Sequence, residues 1–311
     1  MRSFRRVFYS RRSWLAFSIT TLMLVAGVSL STNTVLANHP VLVEGNCDSP
    51  VPGTTLVSPG TCGDFDGDGR IGTAEDTDGA DRIFGTLRAA LGPGTGAAAG
   101  TGANYNGTIT IVTSGRFAEI LFIGNSGIVV GEGTATPGNV TIEAAPGVEA
   151  QIDAVLQGDP GGGNNTRQGQ TGITVGYINN DRRVVLRNLT IRNFATGISA
   201  ILNARVTLDS CRLENNLDYG VRLTDSAQVG IFNSDINATG YRISVGPSNS
   251  TTFGHAISFE NTASGSVARS HITGNRGAPI SNTGAGTVTY YEMFLGNNLL
   301  GIIGATRDNT P

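Results

Sequence analysis

From about Tyr105 to Leu300 the apolar residues fall in short runs. The runs are built from Val, Ile, Leu and Thr, are broken by Gly, Asn and Ser, and show almost no helical period. Such a pattern predicts many short strands joined by tight turns. Five segments align with one another: RVVLRNLTIRN (183–193), RVTLDSCRLEN (205–215), QVGIFNSDINA (228–238), GSVARSHITGN (265–275) and GTVTYYEMFLGN (286–297). The anchors Ile191, Leu213, Ile236, Ile272 and Met293 then share a column, at spacings of 22, 23, 36 and 21 residues. A second column, Ile198, Val221, Ile257 and Ile280, is spaced by 23, 36 and 23. Both repeat at about 22–23 residues, and both are interrupted once, by an insertion of about 13 residues inside 237–256.

A repeat this short, with no helical part, holds two or three short strands and cannot bury its own apolar face. Stacked copies can. The predicted fold is therefore all-β, a parallel β-helix solenoid of about 22–23 residues per coil. Asn193, Asn215, Asn275 and Asn297 end their runs and fit turns, where Asn tolerates a left-handed backbone. The pattern resembles the right-handed parallel β-helix of the pectate-lyase-like proteins over residues 105–300. A β-sandwich is the alternative, but that architecture does not require near-constant spacing. Cys211 shares an inward column with Leu189 and Ser234 and is read as a small buried residue rather than a reactive thiol.

An open solenoid end needs a cover. In DRIFGTLRAALG (81–92), Ile83, Phe84, Leu87, Ala90 and Leu91 form one helical stripe, stopped by Gly92-Pro93. One amphipathic cap helix is expected there; a free-standing helix that binds a partner is the alternative. The piece GTLRAAL resembles the TLREA-type segment that precedes the first coil of secreted bacterial β-helix proteins. The expected organisation is a leader (1–37), an N-terminal segment with a disulfide loop, a metal loop and the cap helix (38–104), the β-helix (105–300) and a tail (301–311).

The leader has the form of a secretory signal peptide. Arg2, Arg5, Arg6, Arg11 and Arg12 precede an apolar run from Trp14 to about Leu30, and Val35-Leu36-Ala37 offers a small-residue cleavage site. An uncleaved anchor is the alternative. Ser10 to Leu15, SRRSWL, resembles the twin-arginine export motif. No later segment is long and apolar enough to span a bilayer, so a secreted or periplasmic protein is expected. Cleavage leaves 16 of the 21 basic residues against 24 acidic ones, a net charge of −8, and the chain has no lysine. Such a balance disfavours nucleic acid as a partner and favours cations or glycans. In an oxidising compartment Cys47 and Cys62 are expected to pair, leaving Cys211 free.

The stretch DFDGDGRIGTAE (64–75) reads as a twelve-residue calcium loop. Asp64, Asp66 and Asp68 take positions 1, 3 and 5, and Gly69 takes position 6, where the sharp turn needs it. Arg70 offers its carbonyl at 7, Ile71 is apolar at 8, Gly72 at 9 leaves room for a water, and Glu75 closes the set with two oxygens. Hard oxygen ligands carrying four negative charges suit Ca²⁺ better than octahedral Mg²⁺. The preceding SPGTCG cannot be helical, so the loop is solitary and resembles dockerin-like calcium loops. It is expected to hold structure together rather than to switch.

Outward positions are where a β-helix would bind or react. One outward column reads Thr190, Arg212, Asp235, His271 and Glu292; its neighbour reads Arg192, Glu214, Asn237, Thr273 and Phe294. Arg212, Asp235 and His271 on successive coils form an acid/base-capable set, or a ladder of surface ion pairs worth little. The insertion TGYRISVGPSNSTTFG (239–254) would project beside the face carrying Arg222 and Ser258, with Tyr241, Arg242 and His255 on or next to it. Polygalacturonase-like enzymes carry Asn-Thr-Asp, Asp-Asp, Gly-His-Gly and Arg-Ile-Lys in that order. Here Asn233-Ser234-Asp235, Arg242-Ile243-Ser244 and Gly254-His255 are fragments out of order. Pectate lyases hold calcium on the helix face and use a basic residue to take a proton; here the calcium loop precedes the helix. The expected function is non-catalytic binding of polysaccharide or cell-surface glycan. A divergent polysaccharide lyase or glycoside hydrolase and an extracellular assembly subunit are the alternatives.

Overall fold

Val184, Val206, Val229, Gly265 and Val288 sit side by side on successive coils, and every pairing among them is parallel. The structure is a computed structural model. It describes residues 41–44, 86–91, 107–124, 139–154, 170–178, 182–240 and 254–308, and the backbone alone of Thr55–Leu56, Arg70–Ile71, Arg82–Phe84, Thr134–Ala135, Tyr241–Arg242 and Gly246–Pro247. Three long parallel sheets form the solenoid. The first runs from Arg82–Phe84 through Val41–Val43, Gly107–Ile111, Val140–Ala144, Arg183–Arg187, Arg205–Asp209, Gln228–Phe232, Ser264–Ala268 and Val288–Tyr291 to Thr306–Arg307. The second stacks Gly115–Phe117, Ala150–Asp153, Leu189–Arg192, Arg212–Glu214, Asp235–Asn237, His271–Thr273 and Phe294–Gly296. The third stacks Thr134–Ala135, Leu121–Gly124, Thr171–Tyr177, Thr196–Leu202, Tyr219–Leu223, His255–Phe259 and Ile280–Asn282. Each coil visits the three sheets in turn, so the parallel β-helix is observed.

The column Ile198, Val221, Ile257, Ile280 pairs as the spacing predicts and is extended by Ile173 and Leu121. All six of these side chains are buried. Burying one such aliphatic side chain contributes roughly 1.5–3 kcal/mol, so truncating Ile257 to Ala would cost about 2–5 kcal/mol. The other column needs a correction at its end. Ile191, Leu213, Ile236 and Ile272 share it, but Ile272 pairs with Leu295, not Met293. Met293 instead follows Leu189, Cys211 and Ser234, two residues earlier on the same inward face. Two apolar residues two positions apart satisfy either register, so the sequence could not separate them. The same slip puts Phe294, not Glu292, after His271, and Gly296, not Phe294, after Thr273.

Three corners close each coil, and all three recur as columns of left-handed residues; between the third and first sheets these are Leu202, Asp225 and Asn261, at φ of 59°, 58° and 58°. Asn188, Ser210, Asn233, Arg269 and Glu292 have φ of 54°, 57°, 50°, 47° and 48° between the first and second sheets. Asn193, Asn215, Ala238, Gly274 and Asn297 have φ of 65°, 55°, 52°, 67° and 54° between the second and third. Asn275 is thus one position past the turn. It is buried, its Oδ1 accepts the Thr239 amide at 2.9 Å, and its Nδ2 donates to Asn298 Oδ1 at 2.8 Å. Asn216 does the same work two coils earlier, accepting from Phe194 N and donating to Ile191 O. These side chains supply hydrogen bonds that the bent backbone cannot make to itself.

The helix expected over 81–92 is shorter than predicted. Arg82–Phe84 is a strand paired with Val41–Val43 at the edge of the first sheet, and the helix covers only Leu87–Leu91. Partner strand Val41–Val43 lies some 40 residues earlier in the chain, and its backbone hydrogen bonds outweigh the local helical stripe. The helix start is fixed by Glu119, whose carboxylate accepts Leu87 N–H at 2.9 Å and Arg88 N–H at 2.7 Å. Leu87, Ala90 and Leu91 are buried in the same apolar core as Val41 and Val43.

Candidate functional site

On the third sheet Arg222 points outward between Ser199 and Ser258. Its guanidinium forks Glu260 of the next coil, with Nε to Oε1 at 3.0 Å and Nη2 to Oε2 at 2.9 Å. The hydrogen bond to Glu260 pushes the already high pKa of Arg222 further up. The same guanidinium lies 5.4 Å from the ring centroid of Tyr219, three residues back on its strand. Tyr219 is the register partner of His255, and their ring centroids are 6.3 Å apart. Burial raises the Tyr219 phenol above its usual range; Arg222 opposes the rise, while Glu260 and Asp218 add to it. Burial also pushes the His255 imidazole below its usual 6.5, so the ring is neutral at neutral pH. Its Nδ1 accepts the Ala278 amide at 2.8 Å, which assigns the ring proton to Nε2.

The insertion opens beside this cluster. Gly240 N donates to Asn216 O at 2.8 Å and Gly254 N donates to Asp218 O at 2.7 Å, so the two ends straddle Leu217 at the corner before Tyr219. Both glycines have left-handed backbones, at φ 98° and 90°, and both lie against Arg276. A Cβ at Gly240 would sit 2.7 Å from the Arg276 Cβ, so no larger residue fits there without movement. Beyond Gly240, Tyr241–Arg242 pairs antiparallel with Gly246–Pro247, in a two-stranded sheet separate from the three long ones. The side chains of Tyr241 and Arg242 lie outside the described residues.

The other expected site residues fall on a different sheet. Arg212, Asp235 and His271 are register partners on the second sheet, as their column predicts. His271 Nδ1 lies 3.4 Å from Asp235 Oδ1, and Phe294 packs edge-on to the His271 ring at 5.6 Å. Arg212 turns instead to Glu214, at 3.3 Å. Glu214 in turn meets Arg192, which meets the fully buried Asp153 at 3.3 Å. This is a ladder of alternating charge, and Arg212 and His271 do not join Arg222 and His255 in one cluster. Tyr219 and Glu260 were not among the expected site residues. The signal that could have found them is their place at the start and just past the end of paired strands, either side of the insertion.

The carboxylates expected to ligate calcium, Asp64, Asp66, Asp68 and Glu75, lie outside the described residues, as do Cys47 and Cys62. The backbone of Arg70–Ile71, loop positions 7 and 8, pairs antiparallel with Thr55–Leu56. Among the described residues no group of three or more His, Cys, Asp or Glu could hold a metal. Among those residues, too, no helix is long and apolar enough to cross a membrane. Cys211 is a buried free thiol, its pKa pushed up to about 11 by burial.

The family described as right handed beta helix region matches residues 105–298. The chain belongs to this family. The match gives the solenoid its hand and takes in both the Tyr219–Glu260 cluster and the insertion. No curated protein matches this β-helix chain. Its fold is similar to the crystal structure of pectate lyase Pel9A, at 16% sequence identity and a TM-score of 0.34, over 68% of this chain. The β-helix chain spans 64% of the length of that structure.

Proposed function

We propose that this is an exported, calcium-stabilised β-helix protein that holds polysaccharide or cell-surface glycan without transforming it. The binding site is the corner where the insertion meets the third sheet. The observation that carries the reading is the state of the ionisable groups there. His255 Nδ1 is occupied by a backbone amide, and both Glu260 oxygens are occupied by Arg222. A general base needs an available lone pair within reach of a substrate proton; the one imidazole lone pair of His255 is taken, and Glu260 is held as a carboxylate paired with Arg222. What the corner does offer is a tyrosine ring, a fixed guanidinium and an imidazole N–H, the groups that stack on and hydrogen-bond a sugar. Tyr241 and Arg242, in the two-stranded sheet of the insertion, can add to it by position.

Calcium belongs to this reading through donor chemistry. Asp64, Asp66, Asp68, the Arg70 carbonyl and Glu75 are hard oxygen donors at the spacing of a calcium loop. The Leu87–Leu91 helix is read as the cover of the first coils, and residues 1–37 as the export signal. The test is to incubate the mature protein with a panel of polysaccharides while following retention, unsaturated products and reducing ends together. Retention without products supports the reading; products with no retention would replace it with a lyase or hydrolase.

The last coil favours a second reading, an assembly subunit. Phe294, Leu299 and Ile303 are 61%, 65% and 42% exposed on the final coil. Sedimentation of the mature protein over a range of concentration tests it.

A further inference from the structure

The exposed apolar side chains gather at one end of the solenoid. Among the described residues six large apolar side chains are exposed, and five of them, Phe294, Leu295, Leu299, Leu300 and Ile303, lie on the last coil. The sixth, Ile178, follows the strand Thr171–Tyr177 on a much earlier coil. Met293, Ile302 and Ala305 pack against the core from the last coil and are only partly buried. The other end is closed, because Leu87, Leu91, Phe117 and Leu121 are all buried there.

The backbone of the last coil is aimed outward as well. At each corner between the first and second sheets the left-handed residue donates its N–H to the following coil: Asn188 to Asp209 O, Ser210 to Phe232 O, Asn233 to Ala268 O and Arg269 to Tyr291 O. Glu292 ends this column. The corner between the second and third sheets does the same through Asn193, Asn215, Ala238 and Gly274, and Asn297 ends that column. One position further on, Thr239 N and Asn275 N donate forward to the side chains of Asn275 and Asn298, so Asn298 ends a third. By this repetition the N–H groups of Glu292, Asn297 and Asn298 aim along the axis past the last coil, and no described residue accepts them. They bracket Phe294–Gly296, the edge strand of the second sheet. An edge strand with aimed donors and apolar neighbours is a template for a further strand.

We propose that a second copy of this chain supplies that strand through the same edge, last coil against last coil, in a closed dimer. The inference rests on the assembly reading above and gives that reading its partner. Open head-to-tail growth needs a first end that matches the last, and the buried first end offers no apolar face to match. A two-fold axis normal to the second sheet at Leu295 runs the two edge strands antiparallel. Leu295 then meets the partner's Leu295, Phe294 meets the partner's Gly296, and Glu292 meets the partner's Asn298. The exposed Glu292 carboxylate is thereby brought to amide donors that the other last coil aims forward. A carboxylate accepting backbone N–H groups makes strong, charge-assisted bonds, and the symmetry forms the contact twice. Leu299 and Leu300 leave water in the same step.

The test is sedimentation equilibrium of the mature protein from the low to the high micromolar range. The expected result is a monomer–dimer equilibrium that goes no further. Leu299→Glu and Glu292→Lys should each raise the dissociation constant about tenfold or more, the equivalent of about 1.4 kcal/mol. Ile178→Glu, which changes an exposed apolar residue away from this end, should leave it unchanged. Leu295→Cys should give a disulfide-linked dimer under oxidation. Thr306→Cys, on the edge strand of the first sheet, should not, because an axis through the second sheet carries the two first sheets apart. Matching thermal melts show that the variants are folded. A protein that stays monomeric throughout would end both this inference and the assembly reading. Association that continues past the dimer, or a dimer that Leu299→Glu and Glu292→Lys leave intact, would keep the assembly reading and overturn the dimer proposed here. Cross-linking by Thr306→Cys in place of Leu295→Cys would overturn it too.

Discussion

Arg222 and Glu260 stand 38 residues apart in sequence yet meet through two parallel hydrogen bonds of 3.0 and 2.9 Å. The pair closes across the insertion, because the coil carrying Glu260 is the first one after it. Arg222 is 42% exposed, so solvent screens much of the attraction. A double-mutant cycle with Arg222→Ala and Glu260→Ala should give a coupling of about 0.5–1 kcal/mol, falling in high salt. A coupling several times larger and indifferent to salt would mean that the pair is a structural clamp rather than a surface contact.

His255 makes stability depend on pH. Its folded pKa lies below the unfolded 6.5, so the unfolded chain binds the proton more readily. The contribution is fully present above pH 6.5 and is lost as pH falls from 6.5 toward the folded value. His255→Asn, which can keep an acceptor for the Ala278 amide, should flatten urea stability between about pH 7 and 5 relative to the unmodified protein. An unchanged slope would show that His255 is not the titrating group.

Thiol counting checks the cysteines. Cys211 is buried and its pKa is raised to about 11, so the folded protein should not react with a thiol reagent near neutral pH. Unfolding without reductant should expose one thiol, Cys211, if Cys47 and Cys62 are paired. Three thiols would remove the disulfide from the account.

The repeat made most of the fold legible. Spacings of 23, 36 and 23 residues placed Ile198, Val221, Ile257 and Ile280 in one column and located the insertion, because a stacked solenoid must bury one face of every coil at the same place. The register failed only on the last coil, where Met293 and Leu295 are both apolar and no further coil buries either choice; Leu295 is 39% exposed. Val41–Val43 was too short to signal its place in the first sheet, and it drew Arg82–Phe84 out of the expected helix. The site was harder to read. Outward residues are free of the burial constraint, so the register that correctly aligned Arg212, Asp235 and His271 gave no warning that Arg212 turns to Glu214. The Tyr219–Arg222–Glu260 contact depends on how the chain re-enters the stack after the insertion, which no local pattern records.

Calcium should raise the melting temperature of the mature protein. Binding to the folded state alone, at about 100 times the dissociation constant, adds roughly 2.7 kcal/mol. Glu75→Gln, which removes the closing carboxylate, should weaken the response more than Asp76→Asn, at the residue just past the loop. Coincident melts with chelator and with millimolar calcium would remove the metal from the account.

The most direct test of the central claim is glycan retention by a protein lacking residues 241–252. The parent should be retained on at least one polysaccharide of the panel and should release neither unsaturated nor reducing products. The deletion should abolish retention with its melt nearly unchanged, because the two-stranded sheet it removes is separate from the three long ones. Tyr219→Ala should weaken retention about five- to tenfold, the equivalent of about 1–1.4 kcal/mol of ring stacking. Retention that survives the deletion, or products released by the parent, would contradict a binding site without chemistry at this corner.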